Sequence, residues 1–244
     1  MFNLYISLLI TVVLAVLMGN GSVVLFNHFP QKWFEDWDDS DRENRSRTLP
    51  PRLVESDNCG RQRIPSTPWK YLFIGMFGIC GVYLSVTTSP KYELAVLVVL
   101  FITLEMAIAD QLYKTVPDQL QLLLAISAAG FIDYHDKWWE PFAGAGIGLA
   151  ISLAIFGLGM LLFRTGSIGG ADMKFYTCIG LVAGRSGVVI IFILTTLFFA
   201  VEAAIKIAAG RGSIKDSNAM LPAAFVATLT YLVFLYSYID TILL

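Results

Sequence analysis

An all-α polytopic membrane protein, with about eight transmembrane helices and one cytoplasmic loop subdomain after the first helix, is the fold class this sequence predicts. Three observations carry the prediction. Hydrophobic residues fill 56% of the 244 positions and charged residues only 15%, a balance too apolar for a water-soluble domain and suited to helices whose surplus faces lipid. The apolar residues fall into eight runs separated by polar stretches. With the N-terminus outside, all but Lys91, Lys137 and Arg185 of the 17 lysines and arginines fall on the inner side, a clear positive-inside bias.

The first run, from about Leu4 to Phe26, is long enough to cross a bilayer at about twenty residues per span. No basic residue precedes it and Lys32 follows, with a run of arginines beyond. That order is the reverse of a cleaved secretory signal, so residues 1–26 read as a retained span. Asn27 to about Pro68 mixes acids with bases and is punctuated by Pro50, Pro51 and Pro65, which makes 27–70 a cytoplasmic loop subdomain. Trp33, Phe34 and Trp37 at its start are expected at headgroup level, partner binding being the sharper alternative. Seven more runs make residues 71–244 a seven-helix core: about Tyr71 to Val86, Leu94 to Ala109, Leu120 to Ile132, Phe142 to Phe163, Phe175 to Ala183, Val188 to Ile207 and Leu221 to Leu243. Several are shorter than about twenty residues, so flanking residues or a locally thinned bilayer must complete them.

Several function classes drop out. A net charge of −2 offers no basic field for nucleic acid. Cys59, Cys80 and Cys178 are too scattered for a disulfide framework or a metal site. Gly144, Gly146 and Gly148 lie inside an apolar run with no strand before them; Gly144 and Gly148 read as a small-residue face for close helix contact, not a phosphate loop. Asp133, His135 and Asp136 sit beside Trp138 and Trp139 and read as solvated loop residues at an aromatic belt rather than metal ligands.

Two short stretches carry the chemistry: Ala109-Asp110-Gln111-Leu112-Tyr113-Lys114-Thr115-Val116-Pro117-Asp118 and Gly169-Gly170-Ala171-Asp172-Met173-Lys174. Each sets an aspartate at the edge of an apolar run, where a carboxylate is expensive unless it has a role or a partner. Asp110 ends an inward-running helix and Asp172 begins an outward-running one, so both fall at the same depth on the cytoplasmic side. Two carboxylates close together in a low-dielectric site share one proton near neutrality. The ionised member draws a proton from water while the protonated member polarises a peptide carbonyl, which is acid–base hydrolysis needing no metal. Gly169 and Gly170 let a substrate strand approach closely or the chain turn sharply before Asp172. Pro117 fixes the chain leaving the Asp110 helix. Taken singly, each aspartate has a plainer reading: Asp172 as a helix cap, Asp110 as a solvated helix end.

These residues resemble the type IV prepilin peptidases, a branch of the GxGD intramembrane aspartyl proteases. Asp110 followed seven residues later by Pro117-Asp118 is similar to that family's first aspartate motif, and Gly169-Gly170-Ala171-Asp172-Met173-Lys174 to its Gly-x-Gly-Asp-x-Lys motif. Ile179-Gly180-Leu181-Val182-Ala183-Gly184 also fits, as do Gly21-Ser22 and Phe29-Pro30 in the first span and its exit, and Met220-Leu221-Pro222 near the last. The resemblance implies Asp110 and Asp172 as a catalytic dyad, with Gly169, Gly170, Ala171, Lys174, Pro117 and Asp118 positioning loop or substrate. It implies a bacterial inner-membrane enzyme, in contact with lipid, that removes the leader of type IV prepilins or pseudopilins at the cytoplasmic face. Oligomeric state is not implied.

Three departures shape the expectations. Ala171 stands where the pattern has its second glycine, and alanine tolerates positive φ poorly, so Ala171 is expected at negative φ. Of the two Cys-x-x-Cys pairs many members carry in the first loop, a spacing suited to zinc, Cys59 alone is present. Leu25 stands where an asparagine is usual after Gly-Ser, unless a two-residue gap brings Asn27 into register. The last two bear on N-methylation of the new terminus, which bifunctional members perform with S-adenosylmethionine; proteolysis itself needs no cofactor, and methylation stays open. Glu105 and Glu202 lie inside spans without an assigned role, and Lys174 has a dyad carboxylate, a lipid phosphate or simple snorkelling open to it. The competing classes are a transporter that relays protons or binds cations through Glu105, Asp110, Asp172 and Glu202, and a pilus-assembly subunit with no chemistry. The transporter reading leaves the Pro-Asp and Gly-Gly-Ala-Asp contexts unexplained.

Overall fold

The computed structural model describes residues 2–30, 33–34, 63–163, 169–209 and 219–236; most of the polar stretch, with Trp37 and Cys59, lies outside them. The regular elements among the described residues are all helices: α1 (Phe2–His28), α2 (Ser66–Thr87), α3 (Pro90–Tyr113), α4 (Asp118–Ser127) leading into a 3-10 helix (Ala128–Tyr134), α5 (Glu140–Phe163), α6 (Gly170–Ala208) and α7 (Leu221–Leu229) continued by a π-helical turn (Thr230–Leu235). Every apolar run foreseen in the sequence lies wholly or largely in one of these helices. Among the described residues five helices are long and apolar enough to cross a membrane: Leu8–His28, Ser66–Thr87, Pro90–Tyr113, Glu140–Leu161 and Gly170–Ala208.

The count falls below eight partly because α6 contains two of the predicted runs. At 39 residues a straight α6 would be about 58 Å long, nearly twice a hydrocarbon core of about 30 Å. It is not straight. Gly184 has φ 68° and ψ −171°, a conformation essentially confined to glycine. The Tyr176 and Phe192 rings lie 5.1 Å apart, where sixteen residues of continuous helix would separate them by about 24 Å. The chain reverses at Gly184, and residues 185–208 fold back along 170–183.

Long-range contacts gather at two ends of the bundle. At one end Asn27 bonds to Arg63 and Ile64, Gln121 to Ala171, Lys174 to Asp118 and Leu221 to Asp110. At the other, Ser89 meets Tyr134, Tyr236 donates to the Tyr134 carbonyl, Tyr92 stacks on Tyr236 and His135 lies against Gly184. Both aspartate stretches therefore sit at the same end.

α3 is the central helix. In its most apolar stretch 72% of residues are buried inside the protein, against 17–28% for the other four long helices, so it is apolar all round because protein surrounds it. Ser89 begins it as N-cap, accepting the Tyr92 N–H, with Pro90 next in the first turn. The Tyr92 hydroxyl donates to the Leu232 carbonyl at 3.0 Å, binding α3 to the π-helical turn, whose widened ladder leaves carbonyls available. α5 lies on the first arm of α6 through bare backbone: a Cβ at Gly144 would come within 2.2 Å of the Gly180 carbonyl oxygen, and one at Gly148 within 2.1 Å of the Tyr176 carbonyl oxygen. The expected small-residue face is thus the α5–α6 seam.

Gly144→Val is expected to destabilise the protein by about 3 kcal/mol, read as a lower thermal unfolding temperature in detergent. Gly146→Val, where nothing lies within 4 Å of the added Cβ, leaves that temperature unchanged.

Candidate active site

Asp110 lies in the last turn of α3, which Lys114 closes in the left-handed conformation (φ 52°) with its N–H on the Asp110 carbonyl at 2.9 Å. The side chain is only 8% exposed, so it is not the solvated helix end of the plainer reading. Its Oδ2 accepts the Leu221 N–H at 2.9 Å. Leu221 opens α7, followed by Pro222, and its N–H is one of the donors a helix leaves unpaired at its start. Asp110 therefore caps a helix 111 positions away, where the N-terminal dipole favours negative charge.

Asp172 is the third residue of α6. Gly169 is the N-cap (φ −72°, ψ 154°), and its N–H reaches the Asp172 Oδ2 at 3.3 Å. Asp172 thus occupies the return arm of a capping box rather than the cap itself. Asp110 and Asp172 stand within electrostatic reach of each other, each at the N-terminus of a helix. Lys114 is the one non-glycine residue at positive φ among the described residues, so Ala171 has negative φ as expected and extends α6 without strain. Neither Gly169 nor Gly170 has positive φ, and nothing lies within 4 Å of a Cβ at Gly170.

α4 braces this loop at two points. Pro117 is its N-cap, and Asp118 Oδ1 holds the Lys174 ammonium at 2.6 Å, both side chains being more than half exposed. Lys174 is thus paired with the acid of the Pro-Asp motif, a partner beyond those expected from the sequence. An exposed pair of this kind is worth only about 0–1 kcal/mol. The second contact is buried: Gln121, 3% exposed, donates from Nε2 to the Ala171 carbonyl at 3.0 Å. Sequence reasoning missed Gln121, although it is the lone polar side chain between Leu120 and Ile126.

It also left Asn27 unresolved. The Asn27 carboxamide accepts the Arg63 and Ile64 N–H groups at 2.8 and 3.0 Å and donates to the Ile64 carbonyl at 3.1 Å, closing the ends of the polar stretch. Leu25, by contrast, is 42% exposed. Trp33 and Phe34 form part of an aromatic cluster: Phe34 stacks on Tyr113 at 4.5 Å, Trp33 lies 4.9 Å from Phe29, and the Arg63 guanidinium covers Phe34 at 4.9 Å. Phe34 thereby packs on the end of α3, one turn from Asp110. Glu202 pairs with Lys206 at 2.7 Å. Glu105 is fully buried, its carboxyl without a hydrogen bond among the described residues and Ser22 as its polar neighbour.

Asp110→Ala is expected to destabilise the protein by about 1 kcal/mol through loss of the α7 cap; Asp110→Asn, which keeps an acceptor oxygen, has the smaller effect, compared by thermal unfolding. Asn27→Ala removes three hydrogen bonds worth about 1 kcal/mol each and lowers the unfolding temperature more than Leu25→Ala does.

Residues 97–205, which contain both aspartates and the α4 brace, match the model of the type IV leader peptidase family. No curated protein and no solved structure matches the chain. The segment that builds the paired-aspartate site, residues 97–205 of the 244, is thus similar to the type IV leader peptidase family.

Proposed function

We propose that this chain is an aspartyl endopeptidase that removes the N-terminal leader of type IV prepilins or pseudopilins, with Asp110 and Asp172 as its catalytic dyad. The observation that supports this reading is that the Asp110 and Asp172 carboxylates, from α3 and α6, stand within electrostatic reach of each other inside the segment that is similar to the family. One carboxylate takes a proton from water as the oxygen attacks the scissile carbonyl, and the other, protonated, donates to the carbonyl oxygen. The tetrahedral intermediate collapses with a proton delivered to the departing amine, restoring one shared proton to the pair. Gly170, with open space where a side chain would stand, lets the substrate backbone lie against the first turn of α6. The Lys174–Asp118 pair and Pro117 hold the loop in register with α4.

The reading places the chain in a bacterial inner membrane with eight crossing segments. In support, the helical runs alternate between the two ends of the bundle once α6 is counted as two arms. Arg63, Lys70, Lys114, Lys174 and Lys206 lie in or beside connections at the dyad end, which supports reading that end as cytoplasmic, where a substrate's polar leader stays soluble while its apolar segment lies among helices. An apolar cavity of 340 Å³ lines α3 beside this end, walled by Phe73, Leu104, Ala107, Ile108, Pro222 and Phe225 among others, and suits such a segment. The Asn27 carboxamide is committed to Arg63 and Ile64, and the rest of the polar stretch, the region the resemblance associates with N-methylation by S-adenosylmethionine, lies outside the described residues. A transporter using intramembrane acids is not favoured, since Glu202 is paired with Lys206 and Glu105 is sealed from solvent.

Co-expression with a prepilin, followed by gel separation of precursor and mature forms, tests the proposal. Asp110→Asn and Asp172→Asn chains, accumulating normally in the membrane, are expected to process it at least about 100-fold more slowly. Normal processing by either variant refutes the dyad.

A further inference from the structure

We propose that Gln121 is a positioning residue for the dyad, setting Asp172 against Asp110 by holding the Ala171 carbonyl; this rests on the peptidase reading above. Four observations converge on it. The Nε2–Ala171 bond of 3.0 Å links α4 to the peptide immediately before Asp172. Because Ala171 presents a carbonyl, the amide must donate there, which fixes the orientation of the carboxamide. The other amide atom, Oε1, is buried without a partner among the described residues. A buried, half-satisfied amide is worse for stability than an apolar side chain of similar shape, and Leu120, Leu122, Leu123 and Leu124 surround it in sequence. Stability therefore does not account for a glutamine here, whereas geometry at the loop does.

The physical task is specific. Ala171 and Asp172 lie in the first turn of α6, where the ladder is only half formed and the backbone is most free to shift. The Lys174–Asp118 pair braces the same turn but is exposed on both sides, and so holds it loosely. Gln121, 3% exposed, supplies the rigid contact. Acid–base transfer depends on such placement, because sub-ångström misplacement of a reacting group lowers turnover without weakening binding.

The test uses the full chain purified in detergent, with a prepilin-like substrate carrying its leader and apolar helix. Gln121→Leu, which keeps the shape and removes the donor, is expected to lower kcat about 10-fold or more with KM within about twofold and thermal unfolding unchanged or raised. Gln121→Glu gives an independent readout: an ionised carboxylate cannot donate to the Ala171 carbonyl, while a protonated one can. Its kcat relative to wild type is therefore expected to rise as pH falls. A Gln121→Leu chain with wild-type kcat overturns the proposal, as does a kcat loss that tracks a lowered unfolding temperature. If the leucine chain does not accumulate, the glutamate chain decides, and a ratio to wild type that is flat with pH overturns it. A wild-type chain that leaves the substrate intact refutes the peptidase reading and this inference together; cleavage by wild type with an unimpaired Gln121→Leu chain refutes this inference alone.

Discussion

A carboxylate taken out of water at the end of an apolar helix must find donors, and for Asp110 the donor is the first N–H of α7. The last turn of α3 is the wrong place for a negative charge, because the carbonyl end of a helix repels it. Docking the N-terminus of α7 there reverses the local field and satisfies a helix donor at the same time. Asp172 has the same solution within its own helix, through the Gly169 N–H. The site is thus a meeting of three helix ends, one carbonyl end and two amide ends. Removing α7 would leave Asp110 as a buried, unpaired acid, which is among the costlier states a protein interior can hold.

That convergence depends on how closely the helices approach. α5 rests on α6 by backbone contact at Gly144, Gly148 and Gly180, and the reversal at Gly184 halves what would otherwise be an over-long helix. These features hold the first arm of α6 upright beside α3, with Asp172 at the end where Asp110 waits. α4 then fixes the height of the Asp172 loop from the side. α3, buried on nearly every face, is the reference against which the others are placed.

Much of this was legible in order along the chain. The eight apolar runs, the shared end of the two aspartates, the small-residue face at Gly144 and Gly148 and the negative φ of Ala171 all follow from local composition, charge order or steric limits. Other features were not. The role of Asn27 depends on Arg63 and Ile64, 36 and 37 positions on, and that of Gln121 on Ala171, 50 positions on. Trp33 and Phe34 were expected at headgroup level; which rings they meet there, Phe29 for Trp33 and Tyr113 for Phe34, was not legible. Ring contacts between residues far apart in the chain follow from folding, not from local composition.

By itself the sequence determined that this is a helical membrane protein, where its helices lie, and which two acids stand at matching helix ends, because hydropathy, turn residues and charge bias act over short stretches of chain. The tertiary structure alone decided which groups complete those acids: the Leu221 amide for Asp110, the Gln121 brace behind Asp172, the Lys174–Asp118 pair. Hydrogen bonds and ion pairs act over a few ångströms in space, and folding, not sequence proximity, brings residues fifty or more positions apart within that distance.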